Sequence, residues 1–146
     1  MSRPPLTLAA VFATVVLAGC GGGPPADLFV VQRTGEIPGA RLSLRITDDG
    51  GAYCNAMGRR EITSSQLLEA RDIRRGLDGE KEEDKTAPAD RNLNLAPGPG
   101  SVLSYRVRSE DGTVAFSDTS RGQPTVLFRI AKLTRDVARG ACGLAR

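Results

Sequence analysis

Apolar and polar residues alternate along two stretches of this chain and recur at helical spacing along two others. Leu42, Leu44 and Ile46 alternate with Arg41, Ser43 and Arg45, which predicts a half-buried strand over Arg41–Thr47. Leu28–Arg33, apolar on both faces, predicts a strand before it. Asp48-Asp49-Gly50-Gly51 then turns the chain, because Asp and Gly tolerate the positive φ of a tight hairpin, and Ala52–Met57 returns as a short strand carrying Cys54. Thr63 with Gln66 three residues later is a capping-box signature; Leu67, Ala70, Ile73 and Leu77 follow at helical spacing, and Gly79 is the expected stop. A second hairpin has Leu103, Tyr105 and Val107 pointing one way, a turn at Asp111-Gly112, and Val114 and Phe116 returning. Pro124 is expected at the first position of the last helix. Val126, Leu127, Ile130, Thr134, Val137 and Ala138 form its apolar stripe, ended by Gly140.

Between the two halves the apolar period disappears. Glu80–Lys85 is a charge run and Pro97–Gly100 alternates Pro and Gly, so residues 80–100 are expected to form a disordered loop. The predicted architecture is α+β: a two-layer sandwich, with an antiparallel sheet of about four or five strands and two helices on one face.

Composition removes much chemistry. The chain has no histidine, which excludes Ser-His-Asp and Cys-His nucleophile systems, His-ligated zinc and His proton shuttles. The acidic turns Asp48-Asp49-Gly50 and Glu110-Asp111-Gly112 lack the alternate ligand spacing and terminal bidentate Glu of a calcium loop, so no metal and no cofactor is expected. Ser120 and Lys132 belong to no nucleophile motif. The net charge is +3, but basic and acidic residues are interspersed, which does not describe a nucleic-acid binder. The candidate interaction surface is the basic side of the last helix, Arg129, Lys132, Arg135 and Arg139, together with Arg121 just before it. The reading is therefore of a binding protein and not of an enzyme.

The first twenty residues carry an address. Arg3 is followed by an apolar run over Leu6–Leu17 and by Leu17-Ala18-Gly19-Cys20, which resembles the lipobox of bacterial lipoprotein precursors. The run falls short of the ~20 residues of a spanning helix. The resemblance implies a cleaved signal peptide over residues 1–19 and a Cys20 that carries diacylglyceryl and palmitate. It further implies a flexible tether over residues 20–27, and one domain over residues 28–146 held on the extracytoplasmic face of a cell membrane. An envelope protein or polymer is then the expected partner. Cys54 and Cys142 remain as a pair in an oxidising compartment, and a disulfide between them would stabilise the domain by ~4 to 5 kcal/mol.

The domain itself has two patches, Phe29-Val30-Val31-Gln32-Arg33-Thr34-Gly35 with Gly39, and Tyr105–Arg108, Glu110–Val114, Phe116–Asp118 and Pro124. These are similar to the emfourin family, small inhibitors of protealysin-like metallopeptidases, and the resemblance implies a metallopeptidase as an alternative partner. The lipobox, the cysteine pair and the charged middle segment depart from that family's pattern, and no inhibitory residue is carried over.

Overall fold

A computed structural model describes residues 23–79 and 86–145. The leader, Cys20 and the charge run over residues 80–85 lie outside the described residues. Eight elements follow in order: β1 (Asp27–Gly35), β2 (Leu42–Thr47), β3 (Gly51–Cys54), β4 (Arg60–Glu61), α1 (Ser64–Asp78), β5 (Leu103–Arg108), β6 (Thr113–Ser117) and α2 (Thr125–Arg139). The six strands form one antiparallel sheet in the order β4-β3-β2-β1-β5-β6. The fold class is the expected α+β, with six strands where about four or five were predicted. The additional strand, β4, is two exposed residues long and has no apolar alternation to announce it.

Register explains which face is buried. Val31 pairs with Leu44 on one side and Val107 on the other; Leu44 continues to Cys54, and Val107 to Val114. Side chains directly opposite share a face, so this row lies wholly on the covered side, and each of these residues is buried. The next positions, Gln32, Ser43 and Arg106, are exposed on the uncovered side. Both helices add to the same core: Ala70, Ile73 and Leu77 from α1, and Leu127, Ile130 and Val137 from α2. Leu133 belongs to the buried stripe as well, beyond the residues predicted for it, whereas the predicted Thr134 is indeed buried.

The helix boundaries are set locally. At the start of α1, Gln66 N–H donates to Thr63 Oγ1 at 3.2 Å and Thr63 N–H donates to Gln66 Oε1 at 3.0 Å, the reciprocal capping box. Gly79 follows at φ 84°. At α2 the expectation needs a correction: Pro124, with ψ 148°, is the N-cap, and Thr125 is the first helical residue. A proline's fixed φ suits both positions, so sequence alone does not separate them.

The predicted disordered loop also needs correcting over its described part. Ala87 and Ala89 are buried, and Ala89 N–H donates to the Leu77 carbonyl at 3.0 Å. Leu95 N–H donates to the Ala115 carbonyl and Ala115 N–H to the Leu93 carbonyl, each at 2.9 Å, so residues 93–95 lie parallel to β6 and cover its outer edge. The segment is ordered by backbone pairing, which leaves no apolar period.

Cys54, the last residue of β3, and Cys142, just beyond α2, lie at disulfide distance with Cα atoms 6.1 Å apart. They connect the helical layer to the sheet.

Gly112 is where the hairpin tip meets the docked segment, since a Cβ there would collide with the Ala89 carbonyl oxygen. Gly112→Ala should therefore cost more stability in urea unfolding than Leu68→Ala on the exposed side of α1, for which a change within about 0.5 kcal/mol is expected. Leu44→Ala, at a fully buried position, should cost about 2–5 kcal/mol.

Candidate functional site

The cations of α2 do not share one free surface. Arg129 faces α1: its Nε and Nη2 donate to the two carboxylate oxygens of Glu69, each at 2.8 Å, and Nη2 lies 3.5 Å from Asp72. The hydrogen bonds from Arg129 hold the Glu69 carboxyl below its ordinary range, despite an opposing effect of burial. Both partners are about a third exposed, which limits this pair to ~0.2–1 kcal/mol of stability. Lys132 pairs with Asp136 at 2.7 Å, one turn along the helix. Arg135 and Arg139 make no ion pair among the described residues; they overhang the end of the sheet beside Tyr105 and Leu103. Arg121 sits exposed in the turn before α2. Of the five predicted cations, the fold thus joins Arg135 with Arg139, commits Arg129 to helix packing, and leaves Arg121 apart.

Ser120 and Lys132 are not brought together. The Ser120 hydroxyl is buried against Ser117, accepting from Ser117 N–H at 2.9 Å, while Lys132 is engaged with Asp136. The acidic turns are likewise occupied. Asp49 Oδ1 accepts from the Thr47 hydroxyl at 2.6 Å and from Gly51 N–H at 3.2 Å, and its Oδ2 pairs with Arg59 at 3.0 Å. The Thr47 hydrogen bond is the main reason the Asp49 carboxyl titrates lower than usual. Among the described residues no three Asp, Glu or Cys side chains are grouped as metal ligands.

A larger concavity lies where the chain enters the domain. Ala26, Asp27 and the start of β1 form one wall of a groove of about 700 Å³, and Arg71, Arg74 and Arg75 of α1 with Arg108 of β5 form the rest of its cationic lining. Asp48 accepts from Arg71 at 2.7 Å and Glu110 from Arg74 at 2.9 Å, and Arg75 pairs with Asp72. Arg108 is in no ion pair among the described residues. Arg71, Arg74 and Arg75 lie outside the buried stripe of α1, and the sequence pattern did not single them out.

Sequence reasoning also missed Asp78. It ends α1 buried, accepting from Asp111 N–H at 3.4 Å with Oδ1, while Oδ2 has no hydrogen-bond partner. Burial raises its pKa above the ordinary 3.8, only partly offset by the neighbouring Ser109 side chain and the Asp111 N–H. No polarity signal distinguishes this aspartate from the exposed acids around it.

No protein-family model matches the chain, and no curated protein or solved structure matches it.

A raised carboxyl pKa in the folded state means that the native protein holds the proton more tightly than the unfolded chain does. The contribution of Asp78 to stability therefore falls as pH rises from its ordinary 3.8 through the raised value. Asp78→Asn should gain stability relative to the parent as pH is increased from about 3.5 to about 7, measured as urea midpoints. Parallel pH profiles for the two proteins would show that burial of this carboxylate has no energetic weight.

Proposed function

We propose that the chain is a membrane-anchored bacterial lipoprotein whose extracytoplasmic domain binds a partner and performs no catalysis. The observation that supports this most is the position of the tether relative to the groove. From Cys20 to Ala26 there are seven residues, a reach of at most about 25 Å, and Ala26 itself lines the arginine-rich groove. A lipid on Cys20 would hold that end of the domain close to a head-group surface, where clustered arginines are attracted to anionic groups. Among the described residues no helix is long and apolar enough to cross a membrane. The absence of histidine from the sequence and the engagement of Ser120, Asp48 and Asp49 in local contacts favour binding over turnover.

A second reading, an emfourin-like inhibitor of a secreted metallopeptidase, is favoured by one juxtaposition. The two patches that carry the resemblance are neighbours in the sheet, with Gln32 of β1 opposite Arg106 of β5.

Cells fed a labelled palmitate should incorporate it into the parent protein and not into Cys20→Ala, which should accumulate as an unprocessed or released form. Equal labelling of both would contradict the anchor. For the second reading, the detergent-solubilised protein should inhibit a protealysin-like peptidase saturably. A lack of binding at micromolar concentrations would remove that reading and leave the first intact.

A further inference from the structure

Beneath the C-terminal half of α2, at the end of the sheet away from the tether, is a cavity of about 110 Å³ with an unusual wall. Arg135 and Arg139, one turn apart on the helix, reach over it, and Arg33 of β1 and Tyr105 of β5 form its floor. Arg33 is only 3% exposed, a charge on the inward face of the central strand. Its guanidinium is fixed in place, with Nε donating to the Ala40 carbonyl at 2.8 Å and Nη2 to the Gly39 carbonyl at 3.1 Å. Ile37, Ala40 and Leu103 complete the lining, and among the described residues no Asp or Glu side chain contributes to it.

Arg135 and Arg139, one turn apart and in no ion pair among the described residues, repel one another across the mouth of this space, and that cost falls when an anion enters between them. The second property of the wall selects the anion. An inorganic phosphate would satisfy the arginines but leave the aliphatic lining in contact with water, whereas a carboxylate on a short hydrocarbon would satisfy both parts. Size sets a further limit, because a cavity of ~150 Å³ is enough for benzene. The space here suits a group of about half a dozen heavy atoms or fewer.

We infer that this cavity binds a small carboxylate with a short aliphatic body, either a free short-chain acid or the C-terminal residue of a peptide. Arg135 and Arg139 receive the carboxylate, Arg33 and Tyr105 set the polar floor, and Ile37, Ala40 and Leu103 take the hydrocarbon. The inference rests on the binding part of the proposed function and is independent of the anchor, so acylation of Cys20 and occupancy of the cavity succeed or fail separately.

The chain has two tyrosines and no tryptophan, which provides a local probe. Tyr53 lies on the uncovered face of the sheet, with the Arg45 guanidinium 4.0 Å from its ring centre, so a full-length Tyr53→Phe protein in detergent reports Tyr105 emission alone. Titration with isobutyrate through the millimolar range should give a saturable change that isobutyramide, its neutral isostere, does not produce. Arg135→Gln and Arg139→Gln, exposed positions on α2 whose loss should leave the fold intact, should each weaken the response by about tenfold or more, whereas Lys132→Gln should leave it unchanged. A peptide ending in a free valine carboxylate distinguishes the sources. Saturation at lower concentration than isobutyrate identifies a peptide C-terminus, and a response to isobutyrate alone identifies a free acid. Equal responses to acid and amide, a response to inorganic phosphate alone, no response to any carboxylate, or undiminished binding in both arginine variants would overturn the inference.

Discussion

Strand β1 is the element on which the rest of the structure depends, because both of its edges are used. One edge pairs with β2 and thereby carries β3, β4 and α1; the other pairs with β5 and carries β6 and α2. Each half is built from local hairpins and one helix, but neither has a complete core. Val31, with no exposure, is the point where the buried row of Leu44 meets that of Val107. Antiparallel pairing in one register therefore decides that two half-sheets turn their apolar sides the same way, and that two helices can cover them together. The contact of Cys54 with Cys142 and the Arg129–Glu69 pair reinforce an arrangement that β1 already imposes.

The same strand supplies the chemistry at both ends of the domain. Its first residues line the arginine-rich groove next to Ala26, and its last part presents Arg33 under α2. Placing a guanidinium on the inward face of a central strand is costly unless its hydrogen bonds are satisfied, and the turn before β2 meets that need with the carbonyls of Gly39 and Ala40. Arg33 is thereby a fixed polar floor, above which α2 places Arg135 and Arg139. The two ends are thus chemically different: one has arginines largely paired with carboxylates, and the other has arginines gathered around a small, half-apolar space.

Much of the fold was legible in the sequence because its core follows simple periods. Leu42, Leu44 and Ile46, and Tyr105 and Val107, alternate as a one-sided sheet requires, and the Thr63–Gln66 box announces the start of α1. The missing parts are those ordered by other forces. β4 is a charged two-residue edge, residues 93–95 dock through backbone hydrogen bonds, and Leu28 and Phe29 are both buried because the β1–β2 register shifts between Asp27 and Phe29. The candidate site was legible only in part. Helical spacing found Arg135 and Arg139, but it also grouped them with Arg129, which packing against α1 consumes, and it gave no indication that Arg33 is buried beneath them.

The lipid proposed on Cys20 and the bond proposed between Cys54 and Cys142 both change one observable, the mass of the mature protein. Intact-mass spectrometry of the protein extracted from its native membrane reads it. The expected mass is that of residues 20–146 with a diacylglyceryl group and any further acyl chain on Cys20, less two hydrogens for the Cys54–Cys142 bond. A mass corresponding to the unprocessed chain, to residues 20–146 without lipid, or to two free thiols in the domain would contradict it.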